Sequence, residues 1–488
     1  MADRSSAGSS ASYGDASPIA AFASAPGRSA LTLIRCSGSG TLELFAAAFS
    51  AGGKLLAANG NTVLHGWVVD PVPGDGPAAG RIDEVLVSVF RGPKSYTGED
   101  SLDVSCHGGT ATGNGVMAAL RAAGFRDALP GEFTFRAFMN GKLDLTRCES
   151  VMELVSARTE SGRRNAVSRL SGVLEDEINA VKKKLVEVLA GAEIFLDYSE
   201  DEIGMDAQED AGLLPGRRLA EDALARLHRL AESWHRERLY QEGVLAVIAG
   251  RPNAGKSSLF NLLLKEERSI VTDIPGTTRD WIEAWVSIGG IPVRLADTAG
   301  LRTSLDPVEA MGVERSRGLL ESAELVLYLI DGTEGITDED AAIVGELRHA
   351  DGQNRQKPCI PLWNKADVVP VPSRRETALG QLLGISAKTG EGMADLTAAI
   401  ALAVAGQTET ADAQGCLPAA VGTVRQKNLV EAAAAALEEA LALAERQEPL
   451  DLIAPMLRDA VNLLGEITGE VSTADILEEM FGKFCVGK

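Results

Sequence analysis

Apolar and polar positions follow two rhythms in this chain, and the rhythms change places along it. Between about Ser17 and Asp127 short apolar runs alternate with amphipathic ones. Ala30 to Arg35, Val63 to Asp70, Val85 to Phe90 and Leu102 to Ser105 have the length and β-branched content of strands. Thr41 to Phe49 and Gly113 to Ala123 carry helical spacing, and a Pro/Gly-rich loop runs from Pro71 to Gly80. Such interleaving predicts an α/β or α+β domain. From Leu143 to about Leu239 the rhythm is helical. Glu149 to Ser156, Asn165 to Leu189 and Gly216 to Leu239 are rich in Leu, Ala, Glu, Lys and Arg, and Leu227, Leu230 and Trp234 share a face. A bundle is expected there. Alternation returns from Val244 to about Ala405, with apolar runs at Val244 to Ala249, Val293 to Ala296, Leu325 to Ile330, Ile360 to Trp363 and Leu383 to Ile385. Gly289-Gly290 reads as a hairpin turn between two β-like stretches. This pattern predicts a doubly wound domain with its ligand at the carboxyl ends of the strands. Gln407 to Leu417 reads as a polar linker, and the chain from Val421 onward is helical again. The simplest arrangement inserts the doubly wound domain into one helical domain, with boundaries at 1–142, 143–240, 241–406 and 407–488.

Composition narrows the field. The 488 residues are 45% hydrophobic and 24% charged, and the net charge is −22. That acidity argues against broad, non-specific nucleic-acid binding, which runs on lysine and arginine. Arg163, Arg164 and Arg169, then Lys182, Lys183 and Lys184, are candidates for a local basic patch, but solvated helix faces are the simpler reading. The six cysteines show no paired spacing, which suits free thiols in a reducing cytoplasm. The five histidines have no metal-type spacing with them, so no zinc site is expected. No apolar run has the length of a membrane span, and the polar start of the chain lacks a signal-peptide core and reads as disordered.

The chemistry concentrates around Gly250 to Ser257, GRPNAGKS, which follows an apolar strand and precedes a helix-like run. A P-loop needs that setting: successive backbone N–H groups curl around a phosphate and the helix adds its positive end. Asn253, Ala254, Gly255 and Ser258 would form the cradle, Lys256 would reach the β- and γ-phosphates, and the Ser257 hydroxyl would ligate magnesium. Four further stretches follow in order. Thr277-Thr278-Arg279-Asp280 offers Thr278 as a second magnesium hydroxyl. Asp297-Thr298-Ala299-Gly300 offers Asp297 to magnesium through water and the Gly300 amide to the γ-phosphate. Asn364-Lys365-Ala366-Asp367 offers a carboxylate that can accept the ring N–H and exocyclic amine of guanine, a pairing adenine cannot make. Ser386-Ala387-Lys388 would complete the base pocket by its backbone. Together they point to GTP and GDP. Leu301 stands where many small GTPases carry a water-orienting glutamine, and no arginine finger is evident in cis. Arg302 and Glu309 lie in the following switch segment, where Glu309 could orient water; plain surface charges are the alternative.

With these residues in place the chain resembles the MnmE (TrmE) family of tRNA-modification GTPases. The resemblance rests on GRPNAGKSSLFN, IVTDIPGTTRD, ADTAGLR, VEAMGVERS, NKAD, SAKTGEG and the closing FGKFCVGK, with GPKSYTGED, HGG and PGEFTFRAFMNGKLDLTRCES in the N-terminal third. It implies a multidomain α/β protein: an N-terminal α/β folate-binding domain, a helical domain, and an inserted Ras-like P-loop GTPase domain. It implies GTPase domains that dimerise across the nucleotide around a potassium ion in place of an arginine finger. Asn253 would be the P-loop potassium ligand. Thr272, Ile274 and Thr277 would be its partners, in a loop with Asp273, Pro275 and Gly276 that wraps the nucleotide and ion. Glu309 would position water through a bridging water. The implied partners are a second copy of the chain, tRNA, and a flavin-dependent MnmG-type protein in a heterotetramer that installs an aminomethyl or carboxymethylaminomethyl group on carbon 5 of the wobble uridine. A tetrahydrofolate derivative, in its 5-formyl or methylene form, would contact Arg35, Asp103, Lys142 and Lys488. The family position usually holds glutamate where this chain has Asp103, which shortens the reach by about 1.5 Å. Cys485 would lie near the folate, with a chemical role open to it. Two other readings compete: a ribosome-assembly or signalling GTPase without modification chemistry, and a folate-dependent aminomethyltransferase with a regulatory GTPase inserted.

Overall fold

The computed structural model describes residues 13–70, 80–197, 214–266, 269–270, 283–297, 318–320, 322–349, 358–372, 379, 381–405 and 418–488. By contacts the chain divides into two units, Met1–Met152 with Val461–Lys488, and Glu153–Ala460. No helix among the described residues is long and apolar enough to cross a membrane.

The first unit is built on a six-stranded sheet of β1 (Ile19–Phe22), β2 (Leu31–Ser37), β3 (Thr62–Val69), β4 (Arg81–Phe90), β5 (Ser101–His107) and β6 (Arg126–Asp127), in the order β3-β4-β5-β2-β1-β6. All neighbours pair antiparallel except β1 with β6. Strand alternation gives the sheet one apolar face, where Ile34, Cys36, Val85, Val87 and Val104 pack on α1 (Thr41–Ala47), α2 (Gly52–Ala57) and α3 (Thr110–Ala123) through Leu42, Phe45, Leu55, Val116 and Leu120. The opposite face carries Arg35 and Asp103, together with Leu31, Val63 and Leu86, which are 63%, 62% and 50% exposed. Two further helices follow, α4 (Glu132–Met139) and α5 (Leu145–Ser156). The C-terminal tail returns to this unit. The rings of Phe481 and Phe484 pack at a tilt, 5.2 Å apart, Phe481 meets Phe135 edge-on at 5.4 Å, and the Gly131 amide donates to the Cys485 carbonyl at 3.3 Å. Gly487, at φ +92°, runs so close to β1 that a Cβ there would sit 2.2 Å from the Phe22 carbonyl oxygen.

The second unit contains α6 (Glu160–Leu170), α7 (Val173–Asp197) and α8 (Arg217–Glu242), and later α12 (Val424–Glu445) and most of α13 (Leu450–Thr468). The expected single helix from Asn165 to Leu189 is two helices: Gly172, at φ +101°, breaks the run between α6 and α7. The expected solvated face at Arg169 is also corrected. Its side chain is 4% exposed and ion-paired to Glu153 and Glu237, each at 2.6 Å. Arg163 does sit at the surface, paired with Glu160, and Lys184 pairs with Asp222.

Between α8 and α12 lies a seven-stranded sheet of β7 (Val244–Gly250), β8 (Ser269–Ile270), β9 (Glu283–Ile288), β10 (Ile291–Asp297), β11 (Leu325–Asp331), β12 (Cys359–Asn364) and β13 (Leu383–Gly384). Its order is β13-β12-β11-β7-β10-β9-β8; the first five run parallel and the β9–β10 hairpin turns at Gly289-Gly290. Helices α9 (Lys256–Glu266) and α10 (Asp338–His349) lie between strands, and α11 (Met393–Ala405) follows β13. β7 and β11 are apolar and buried along nearly their whole length, as central parallel strands covered on both faces must be. Their parallel direction brings the ends at Gly250, Asp297, Asp331 and Asn364 to one edge of the sheet, the edge where ligands bind in such folds.

Candidate nucleotide site

The loop after β7 is closed by close backbone approach. Gly250 (φ +141°) would place a Cβ 2.3 Å from the Leu329 carbonyl oxygen, and Gly255 (φ +98°) would place one 2.3 Å from Asn364 Nδ2, so neither position accepts a side chain. Asn253 takes a left-handed backbone at φ +62°, exposed at the crest of the loop. Ala254 is buried and Ser258 is exposed. Lys256 opens α9, buried, with Nζ donating to the carbonyls of Gly250 at 2.9 Å and Arg251 at 2.8 Å, which fixes the ammonium across the loop. The Ser257 hydroxyl donates to Asp297 Oδ2 at 2.9 Å, so hard oxygen donors from α9 and from the end of β10 converge beside the loop. Arg251 points away from them. Its guanidinium pairs with Asp340 at 3.2 Å and Glu334 at 3.1 Å and donates to the Gly335 carbonyl at 3.1 Å.

The second half of the site is organised by Asn364, 3% exposed at the end of β12. Its Nδ2 donates to the Ala254 carbonyl at 2.7 Å, and its Oδ1 accepts the Ala387 amide at 3.0 Å. One side chain thus joins the loop after β7 to both stretches expected to read the base. The Ala366 amide donates to the Ile385 carbonyl at 3.0 Å, and the buried Ser386 hydroxyl accepts the Thr389 amide at 3.2 Å. Asp367 and Lys388 are exposed at the mouth. Lys365 takes φ +64° and donates to Asp331 Oδ2 at 2.5 Å. Burial pushes the Asp331 carboxyl up, but the Lys365 ammonium and the Thr333 donors outweigh it and the net shift is down from 3.8.

Thr272, Asp273, Ile274, Pro275, Gly276, Thr277, Thr278, Thr298, Ala299, Gly300, Arg302 and Glu309 lie outside the described residues. Of the folate candidates, Arg35 on β2 and Asp103 on β5 stand in register. They form a two-point ion pair, Nε to Oδ1 at 3.0 Å and Nη2 to Oδ2 at 3.4 Å, with the guanidinium 5.7 Å from the Tyr96 ring centre. Lys142 places its ammonium on the Pro93 carbonyl at 2.9 Å, and the Lys488 amide donates to the Cys485 carbonyl at 3.3 Å. Cys485 is exposed and, with Phe22, Asn114 and Met117, lines a cavity of about 610 Å³. Sequence reasoning passed over Asp331 and Asp340. The available signal for Asp331 was its place as the polar residue ending an apolar parallel strand, where ligand-edge residues sit; Asp340 gave none beyond a helix start.

Comparison with known proteins agrees over nearly the full length. The family model described as the MnmE helical domain matches residues 145–485, and the one described as GTP-binding protein TrmE N-terminus matches residues 18–142. The tRNA modification GTPase MnmE of Treponema denticola is 42% identical over 487 residues, covering 98% of this chain and 99% of that protein. The proteins of the same name from Carboxydothermus hydrogenoformans and Symbiobacterium thermophilum are 38% and 39% identical, each covering 96% of this chain and 99% of its own length. With the nucleotide edge assembled as described and both models matched in sequence order, this chain belongs to the MnmE (TrmE) family.

Proposed function

We propose that GTP hydrolysis by this chain depends on potassium and drives modification of tRNA at carbon 5 of the wobble uridine, together with a flavoprotein of the MnmG type. The chain is a GTP-hydrolysing enzyme of tRNA modification. The observation that carries the reading is the Asn364 bridge, which locks a phosphate loop to a loop ending in Asp367, a carboxylate suited to guanine. Lys256, pinned by two carbonyls, meets the β- and γ-phosphates without having to be ordered on binding. Ser257 and Asp297 fit a divalent ion, with Thr278 completing the set; magnesium there neutralises charge on the β- and γ-oxygens. The potassium reading rests on Asn253, with Thr272, Ile274 and Thr277, and on Arg251 being committed elsewhere. Glu309 is the residue assigned to position the attacking water through a bridging water, and Arg302 belongs to the same switch segment of the sequence.

The other parts of the reading concern the first unit. The Arg35–Asp103 pair, flanked by Tyr96, suits the pterin end of a tetrahydrofolate derivative in its 5-formyl or methylene form; the ring would compete for the Asp103 carboxylate while Lys142 and Lys488 meet the glutamate tail. Cys485 at the cavity wall is the candidate thiol. The sheet face bearing Leu31, Val63 and Leu86 is apolar enough to be covered by a second copy of the chain. The net charge of −22 favours a reading in which the partner supplies most of the tRNA grip, in a cytoplasmic heterotetramer, with the chain divided at 142/143, 240/241 and 406/407.

The test is GTP turnover in potassium and in sodium at equal ionic strength. Faster turnover in potassium is expected, and equal rates remove the role given to Asn253. Nucleoside mass spectrometry of tRNA from a deletion strain should show loss of the wobble modification; its persistence would return the chain to the signalling or ribosome-assembly class.

A further inference from the structure

The turn between β11 and α10 makes none of the phosphate or base contacts expected of the site, yet it is tied to both halves of it. At its start the Asp331 carboxylate is 5% exposed. Its Oδ1 accepts the Thr333 amide at 2.9 Å and the Thr333 hydroxyl at 2.6 Å, which aims Oδ2 at Lys365 Nζ, 2.5 Å away. The adjacent Gly332 amide donates to the Asn364 carbonyl at 3.1 Å. At its far end the Asp340 carboxylate is fully buried. Its Oδ1 accepts the Tyr328 hydroxyl at 2.9 Å and Arg251 Nε at 3.2 Å, and its Oδ2 accepts the Thr337 amide and hydroxyl, each at 2.9 Å. The Gly335 carbonyl takes a second Arg251 donor. Lys365 needs such a hold, because a residue with a side chain adopts φ +64° only when its surroundings impose it.

We propose that this turn is a brace which sets the span between the phosphate loop and the base-reading loop, with Asp331 and Asp340 as positioning residues for GTP. Asp331 holds Lys365 beside the base, and Asp340 holds Arg251 and with it the phosphate loop. The inference rests on the guanine-nucleotide reading of the site and adds residues to it that need not touch the ligand.

A double-mutant cycle on the full chain, read by titration with fluorescent GDP, tests the first arm. Asp331→Asn alone should weaken GDP binding about tenfold, the scale of one lost charged hydrogen bond. In a Lys365→Met background the same change should cost less than twofold, because the group it positions is gone. An equal loss in both backgrounds overturns the proposal, since Asp331 would then act only as a fold residue. Thr333→Val, an exposed position that removes one donor to Asp331, should reproduce a smaller loss with the same dependence on Lys365. It keeps the test open where Asp331→Asn misfolds. Arg251→Met should weaken GDP by a similar factor, and unchanged affinity overturns the second arm. Failure of the unmodified chain to bind GDP would defeat the nucleotide reading itself, whereas tight binding with an additive cycle defeats only the brace.

Discussion

Replacing Asn364 with alanine separates the two halves of the nucleotide site, and its cost can be worked from the structure. The side chain is 3% exposed and makes two bonds, Nδ2 to the Ala254 carbonyl at 2.7 Å and Oδ1 from the Ala387 amide at 3.0 Å. Alanine removes both and leaves their partners behind. Orphaning a buried polar group costs about 1–3 kcal/mol. Ala254 is fully buried and takes the upper part of that range; Ala387 is half-buried, and water can take over there for about 1 kcal/mol. The sum, about 3–4 kcal/mol, corresponds to a loss of roughly 150- to 800-fold in nucleotide affinity if it falls on loop placement. The aspartate variant sharpens the argument. It keeps an acceptor for the Ala387 amide but sets a carboxylate oxygen against the Ala254 carbonyl at a donor's distance, so Asn364→Asp should bind no better than Asn364→Ala. Titration of the full chain with fluorescent GDP reads the affinity, and melting without nucleotide separates misfolding from loss of the site. Alanine binding within threefold of the unmodified chain, or aspartate binding more tightly than alanine, would refute the bridge.

Asp367→Asn should exchange guanine for xanthine preference, because an amide can donate to the xanthine 2-oxo group where the carboxylate accepted an amine; competition between GTP and XTP measures it, and unchanged selectivity would move base recognition elsewhere. Arg169→Met leaves the Glu153 and Glu237 carboxylates buried together, so it should destabilise the helical part by about 3–5 kcal/mol in a urea melt, and a loss under 1 kcal/mol would count against a buried triad. The Asp331 carboxyl is held below its ordinary value of 3.8, so its stabilising contribution is present above that pH and is lost as pH falls through the lower folded value; Asp331→Asn should flatten the acid limb of the stability curve below about pH 4, and an unchanged limb would show that the Lys365 pair contributes nothing.

The elements most legible in the sequence were those whose partners are local. A strand–loop–helix around Lys256, the Gly289-Gly290 hairpin and the helical runs all announce themselves within a dozen residues. What stayed hidden depends on distant partners. β1 is four residues, Ile19–Phe22, rich in alanine, and becomes a strand only because β2 and β6 pair on either side. Gly172 could equally sit inside a long helix until the packing of α6 against α8 required a turn. Arg169 looked like surface charge because Glu153 and Glu237 lie 16 and 68 positions away. The tail was legible as FGKFCVGK, yet its course along β1 is fixed by Gly487 and the edge-on contact of Phe481 with Phe135, which spacing alone does not reveal. In the site, the motifs offer residue types in an order, whereas the joints between described residues, Asn364 to Ala254 and Asp331 to Lys365, are contacts across the strand ends that no motif spells out.

Arg251 bears on where the transition-state charge is met. It is the arginine of the phosphate loop, one of the places from which a cis finger could come. To reach a γ-phosphoryl group it would have to leave Asp340, whose side chain is fully buried, with Tyr328 and Thr337 still donating to it among the described residues. Breaking a buried pair in this way costs about 3–5 kcal/mol. An arginine finger contributes roughly 10³- to 10⁵-fold, about 4–7 kcal/mol, so most of its benefit would be consumed in freeing it. A cation drawn from solution carries no such debt, which is the physical reason to favour potassium beside Asn253. The consequence is measurable. Arg251→Met should reduce kcat at saturating GTP by less than tenfold while KM rises with the loosened loop. A thousandfold fall in kcat with KM unchanged would make Arg251 the finger and remove the need for the ion.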